Sequence, residues 1–363
     1  MGDVHLPVQH LRGRGAAENP PNRFERQRYE RDPDEPAQTP DESESPSPRT
    51  ELIADCAKSV IRRNESPDLP FNYSLNTYRG CEHGCVYCYA RPTHETLGYS
   101  AGLDFETKIL VKHHAAALLR RELMAPSWKG DVINISTVTD CYQPVERKLG
   151  ITRQCLAVLA EFRNPVVIVS KNYLVTRDVD LLAELAGYQA ALVWISLTTL
   201  RPDLSAIMEP RTSSPARRLA AIKALAQAGV PVGVLAAPVI PGLTDEEMPA
   251  ILNAAAAAGA RFAGYTPVRL PYGVKDLFIA WLHQHMPDRA EKVLNRIREV
   301  RGGRLNDSNF YSRMSGEGIF MQQIAGLFGM ACRKAGLSET PQRPSSAAFR
   351  RPGEQQLSLF GPP

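Results

Sequence analysis

Between residues 72 and 270 the chain alternates short apolar segments with helical patterns. No other feature restricts the fold as strongly. Val132–Thr137, Pro165–Ser170, Ala191–Thr198, Val230–Val239 and Arg261–Leu270 are rich in Val, Ile and Ala. Short apolar runs of this kind suit strands covered on both faces of a parallel sheet. Between them, Thr152–Phe162, Asp178–Ala186, Ser214–Gly229 and Thr244–Gly259 have helical periodicity. Gly229 and Gly259 sit where helix C-caps belong, and Thr244 with Glu247 resembles a capping box. An earlier unit is expected from a strand near Asn72–Tyr78, a cysteine-bearing loop and a helix near His114–Met124. The spacing predicts an α/β protein, a partial (β/α)6 barrel two units short of a full eight-unit barrel. In parallel α/β architectures sites form at the C-terminal ends of strands, so the loops after the strands are searched for chemistry.

The flanks differ in composition. Residues 1–50 hold eight prolines with many Glu, Asp, Ser and Arg, and residues 341–363 read likewise, so both are expected to be disordered tails. The expected organisation is a tail at 1–50, the barrel at 51–288, a basic helical extension at 289–340 and a second tail at 341–363. No apolar run approaches the ~20 residues of a membrane span. Met1–Arg14 contains no apolar signal-peptide core. A cytoplasmic protein without membrane contact is expected. Seven cysteines, an odd number, argue against a disulfide framework. Cys56, Cys155 and Cys332 are read as packing residues.

Three of the remaining four cysteines lie in Tyr78-Arg79-Gly80-Cys81-Glu82-His83-Gly84-Cys85-Val86-Tyr87-Cys88-Tyr89, after the first expected strand. Three thiolates on one loop suit three irons of a cubane and leave a fourth iron open to a ligand. The bland alternative is a structural zinc site with His83 or His94 as fourth ligand. Structural zinc, however, favours paired Cys-x2-Cys knuckles, and one such pair is present. The Cys-x3-Cys-x2-Cys spacing, with an aromatic before the third cysteine, resembles the radical SAM superfamily. That resemblance implies a four-iron four-sulfur cluster on Cys81, Cys85 and Cys88, with S-adenosylmethionine chelated at the open iron. One electron then cleaves the sulfonium C–S bond to give methionine and a 5′-deoxyadenosyl radical, which abstracts hydrogen. A flavodoxin- or ferredoxin-like electron donor is also implied.

The resemblance extends over residues 70–245 to the spore photoproduct lyase-like, "DNA repair photolyase" branch. It is carried by Cys88-Tyr89-Ala90, Ser170-Lys171-Asn172, Ile195-Ser196-Leu197-Thr198, Met208-Glu209-Pro210-Arg211-Thr212-Ser213-Ser214-Pro215 and Val234–Gly242. By that likeness Lys171 meets the methionine carboxylate, Ser196 hydrogen-bonds the cofactor and Tyr87 packs near the adenine. Ala237 and Pro238 lie on the strand whose backbone reads the adenine. A lysine ending a buried strand also suits an anionic ligand on its own physics, or else snorkels to water. Cys141, after the Val132–Thr137 strand, is the implied hydrogen donor; aligning on Thr139-Asp140 places Thr137 there instead. His83, His94 and Glu95 either tune the cluster and carry protons or serve as structural residues.

The region near the C-terminus is basic, with 12 Lys and Arg against 5 acidic residues in 289–351 and a net charge of +4 for the whole chain. Asp288–Val300 is expected to be an amphipathic helix burying Ala290, Val293, Leu294, Ile297 and Val300. Arg289, Lys292, Arg296 and Arg298 lie away from that face. Arg301, Arg304 and Arg313 follow, interleaved with Phe310 and Tyr311. Such a surface either tracks a phosphate backbone or is a solvated helix face. The tail ends in Gln356-Leu357-Ser358-Leu359-Phe360, which is similar to the peptide that docks bacterial repair proteins on the sliding clamp. Gln356 would give direction and Leu357, Leu359 and Phe360 the apolar anchors. The expectation is a radical SAM enzyme acting on DNA in repair or modification. The alternatives are RNA, protein or small-molecule substrates, and a zinc-stabilised nucleic-acid-binding module without catalysis.

Overall fold

The computed structural model describes residues 11–25 and 48–353. Its strands are β1 (Glu51–Ala54), β2 (Ile61–Arg63), β3 (Tyr73–Leu75), β4 (Tyr78–Arg79), β5 (Lys108–Val111), β6 (Ile133–Ile135), β7 (Val166–Ser170), β8 (Ala191–Ser196), β9 (Val232–Val239) and β10 (Phe262–Pro267). The larger sheet has the order β10-β9-β8-β7-β6-β3-β2. Its first six members run parallel, and β2 pairs antiparallel on the edge. This is the six-unit parallel array expected from the alternation, left open as a partial barrel. A smaller sheet, β1-β5-β4, carries the approach to the cysteine loop.

Register is set by apolar pairs such as Ile133 with Val166, Ile168 with Val193 and Val193 with Val232. All five of these residues are at most 1% exposed, because helices cover the outer face of the sheet. The helix Ile151–Phe162 buries Ile151, Cys155, Leu156, Leu159 and Phe162 along one stripe. Burying each large side chain of this kind stabilises the fold by about 1.5–3 kcal/mol. Gly233 of β9 meets the Phe262 ring on the neighbouring strand; an added Cβ would stand 2.1 Å from it. Gly229 and Gly259 end their helices at φ +78° and +104°, as expected.

Several expectations change. The Thr244–Glu247 capping box does not form. A 3-10 turn, Asp245–Glu247, precedes the helix Met248–Ala257. The Thr244 hydroxyl accepts from Ile240 N, and the Glu247 carboxylate is drawn to Thr199, Leu200 and Arg201. Residues 11–25, within the stretch read as disordered, pack on the cysteine loop instead. Arg14 donates to Glu106 O at 2.8 Å, and Asn22 donates to Glu95 O and Tyr99 O. Residues 341–353 also lie along the barrel, with Arg350 N donating to Phe162 O and Arg351 to Trp128 O. Short side-chain and backbone contacts secure these segments despite their polar composition. Cys155 and Cys332 are buried as expected, but Cys56 is exposed. No helix among the described residues is long and apolar enough to cross a membrane.

Candidate active site

The cysteine loop begins where β4 ends and is held by groups from four other segments. Cys81 N donates to Phe105 O at 2.8 Å, and Val86 N donates to Met208 O at 3.1 Å. Glu82 N donates to Gln143 Oε1, while the Glu82 carboxylate accepts from Val145 N, Thr50 Oγ1 and Arg211. Behind the loop lies Arg91, fully buried, donating to Cys85 O, Ala101 O and Gly102 O and paired with Glu106 at 2.5 Å. Glu106 also accepts from Gly15 N and Ala16 N, so the N-terminal segment completes this support. An added Cβ at Gly15 would stand 1.7 Å from Gly84 O, so only glycine fits that approach.

Cys81 and Cys85 are buried and Cys88 is partly so. Burial pushes all three thiols up; Asp140 and Cys88 raise Cys81 further, and Glu209, Cys88 and Cys81 raise Cys85. Three neighbouring sulfurs in a dry loop repel as thiolates unless a cationic centre compensates them. Among the described residues, no three His, Cys, Asp or Glu side chains converge on one metal-ion position. One loop bearing all three thiols differs from the paired Cys-x2-Cys knuckles that structural zinc favours. It suits a cubane, in which each thiolate has its own iron.

Of the two proposed zinc-ligand histidines, His83 is held through both ring nitrogens and His94 through Nε2, its buried Nδ1 having no hydrogen-bond partner among the described residues. His83 Nδ1 is 3.4 Å from Asp140 Oδ2, and its Nε2 is 3.1 Å from Asn172 Nδ2. His94 Nε2 bonds Lys108 O at 2.9 Å, and its ring meets Phe105 edge-on. Burial pulls both imidazoles down to about 4, so both are neutral at pH 7. Glu95 receives Arg23 and secures the N-terminal segment. All three contact segments that flank the loop.

Across from the cysteines stands a buried polar group that joins the ends of β7, β8 and β9. Lys171 Nζ lies 3.1 Å from each of Thr198 Oγ1, Ala237 O and Glu209 Oε1. Tyr87 donates to Glu209 and contacts the Thr198 hydroxyl at 3.2 Å. Arg218 pairs with the other Glu209 oxygen and donates to Ser213 O and Ser196 O. Desolvation, and then Arg218, push Lys171 down to about 7, while burial pushes Glu209 up. Two cations flank one carboxylate, which leaves a net positive group that an anionic ligand neutralises.

The structure therefore brings Cys81, Cys85, Cys88, Tyr87, Lys171 and Ala237 together, with corrections of detail. The Lys171 ammonium is occupied by Glu209 and two further acceptors, and the Tyr87 hydroxyl is fixed by Glu209 and Thr198. At the end of β8, Thr198 makes these contacts; Ser196 contributes its carbonyl to Arg218. Pro238 follows Ala237 through a cis peptide bond. Cys141 is fully buried in the main apolar core, its N donates to Ser136 Oγ and its carbonyl accepts from Thr152, and the preceding Asp140 faces His83 of the cysteine loop. The Thr137 carbonyl receives Tyr89 OH at 2.6 Å. Glu209, Arg218 and Thr198 were missed as site residues. The signal for Glu209 was an acid between Met208 and Pro210 in a strand-end loop. Arg91, three residues past Cys88, offered no comparable signal.

The basic C-terminal surface also changes. The helix Pro287–Glu299 buries Ala290, Val293, Leu294 and Ile297 as expected. Arg301 is buried, however, and donates to Val268 O, Ser312 O and Arg313 O; Arg313 is bidentate to Asp68. Both are spent on holding loops. Phe310 and Tyr311 remain exposed. Gln356, Leu357, Leu359 and Phe360 lie outside the described residues.

An open parallel barrel whose three-cysteine loop follows β4, the short strand just after β3, and faces a buried cationic group defines an iron–sulfur α/β class. The Radical SAM superfamily model matches residues 75–255. An uncharacterised protein of Mycobacterium bovis is 37% identical over 247 residues, covering 68% of this chain and 72% of the relative. Another, of Methanocaldococcus jannaschii, is 29% identical over 199 residues, covering 55% and 71%. The chain belongs to the radical SAM superfamily, whose proteins use a four-iron four-sulfur cluster and S-adenosylmethionine. Its fold is similar to a spore photoproduct lyase mutant, with a TM-score of 0.55 at 16% identity over 79% of this chain and 81% of that one. The same enzyme complexed with dinucleoside spore photoproduct gives a TM-score of 0.55 at 15% identity, with 79% and 81% covered.

Proposed function

We propose that this protein is an enzyme that cleaves S-adenosylmethionine reductively and directs the resulting radical at DNA, in repair or modification. The bound cluster and cofactor supply that chemistry: one electron gives methionine and a 5′-deoxyadenosyl radical. The chain's own residues set the stage for it. Cys81, Cys85 and Cys88 hold the cluster and leave one metal position free of protein. The Lys171–Glu209–Arg218 group presents surplus positive charge from the ends of β7 and β8 and takes the cofactor's carboxylate. To do so Lys171 exchanges one of its three acceptors, because an ammonium has three donors. The Ala237 carbonyl and the β9 backbone border the same space. Apolar packing around Cys85, Val86 and Tyr87 excludes water.

The observation that carries the chemistry is the pairing of three thiols on one buried loop with this cationic group. The DNA substrate is supported by the fold likeness to spore photoproduct lyase, which has been solved with a dinucleoside photoproduct. Recruitment by Gln356–Phe360 to a sliding clamp belongs to the same reading. Its test is deletion of that peptide, which should abolish clamp binding.

The central experiment is anaerobic turnover with dithionite and S-adenosylmethionine, with and without ultraviolet-damaged or undamaged DNA. The expected result is 5′-deoxyadenosine formation with a change in the DNA product. Formation of 5′-deoxyadenosine with both DNA samples left intact would remove DNA as the substrate. No 5′-deoxyadenosine at all would remove the chemistry.

A further inference from the structure

We propose that an arginine-lined hollow behind the cysteine loop is the docking surface for an acidic one-electron carrier protein. The inference rests on the proposed reductive activity, which consumes one electron per cleavage. The hollow is formed by two merging cavities of about 370 and 300 Å³. Arg147, Arg177, Arg211 and Arg217 line it with Asn172 and Ser213, and no carboxylate side chain does. Arg177 is matched by Glu146 and Asp178, and Arg211 by Glu82. Arg147 and Arg217 are exposed and have no carboxylate within ion-pair distance among the described residues. Arg217 is held over the Tyr173 ring at 3.9 Å, which fixes its direction without neutralising it. Exposed Lys148 adds a further positive charge beside Arg147.

The position of this charge points to its occupant. Arg211 N donates to His83 O at 3.2 Å, and Asn172 Nδ2 is 3.1 Å from His83 Nε2. His83 lies between Cys81 and Cys85 in the chain, so one layer of residues separates the hollow from the cluster ligands. In the transfer, the carrier's reduced centre loses one electron and the cluster gains it; no bond or proton moves. Electron-transfer contacts are small and transient, and charge complementarity supplies their encounter rate. A positive concavity next to a buried redox loop fits a carrier whose acidic side chains ring its own redox centre.

Nucleic acid fits this face less well. Single strands need exposed aromatic platforms as well as charge, and among the described residues the one aromatic ring lining the hollow is Tyr173, capped by Arg217. Exposed Tyr89 and Phe310 gather elsewhere, around Arg269 and Arg313.

The test uses the full-length protein, flavodoxin reduced to its hydroquinone, and the double variant Arg147→Glu/Arg217→Glu. Binding is measured at low and moderate salt, independently of turnover. The unaltered protein should bind flavodoxin and lose affinity as salt rises; the variant should bind at least tenfold more weakly. At subsaturating flavodoxin, 5′-deoxyadenosine formation should fall at least tenfold in the variant. The dithionite-driven rate and DNA binding should stay unchanged, which also shows that the variant is folded. Arg147→Gln/Arg217→Gln, with an intermediate loss expected, separates lost attraction from added repulsion. Flavodoxin binding that is absent in the unaltered protein, or equal in protein and variant, overturns the proposal. So does a variant that loses DNA binding in its place. Failure of dithionite to drive cleavage counts against the proposed function alone, because the binding comparison still decides the docking surface.

Discussion

Arg218→Met removes the cation on which the interior of the candidate site is built. Arg218 is 1% exposed and Glu209 fully buried, and the guanidinium also donates to Ser213 O at 2.8 Å and Thr212 Oγ1 at 2.5 Å. Breaking a buried ion pair by deleting one partner typically costs about 3–5 kcal/mol, because the other charge is stranded. Here Lys171, Tyr87 and Thr198 still touch Glu209, so the lower figure applies, about 3 kcal/mol. For a domain of this size each kcal/mol moves Tm by about 2–4 °C, giving a fall of about 6–12 °C. The assay is guanidinium denaturation with scanning calorimetry on Arg218→Met, Glu209→Leu and the double variant. The double variant should recover much of the loss, since no charge remains stranded. A single-variant loss below about 1 kcal/mol, or a double variant no better than the single, would refute the assignment of this pair as the anchor of the site.

Cys85→Ala should abolish the iron–sulfur absorbance of the reconstituted protein and 5′-deoxyadenosine formation together; retention of both would remove the cysteine loop as the metal site. Affinity for S-adenosylmethionine should depend on pH through Lys171. Its free-state value is depressed to about 7, and a bound carboxylate favours the charged form and raises it. Binding should therefore be tightest below pH 7 and weaken by up to tenfold per pH unit above it. Lys171→Met should flatten that profile in equilibrium dialysis, and an unchanged slope would place the carboxylate elsewhere. Gly15→Ala forces a Cβ to within 1.7 Å of Gly84 O. The N-terminal segment should then detach from Glu106, seen as faster proteolysis near residue 15 and faster loss of iron to a chelator. Equal rates would show that residues 11–25 do not brace the loop.

The sequence by itself determined the α/β class, the count of six parallel strands and the three thiols on one loop. These are local properties. Buried strands read as apolar runs, helices as a 3.6-residue period, and Cys81, Cys85 and Cys88 are close because the chain between them is short. Lys171 was also legible, since a lysine that ends an apolar strand needs an explanation. Only the tertiary structure decided who its partners are. Glu209 and Arg218 come from the loop and helix after β8, 38 and 47 positions beyond Lys171, and no periodicity encodes that meeting. The same holds for Arg91 with Glu106 and Gly15 behind the loop, for Arg301 turned inward to backbone carbonyls, and for Cys141 drawn into the core. A polar side chain's role depends on which charge or carbonyl stands opposite it once the sheet closes, and folding brings those groups together from distant parts of the chain.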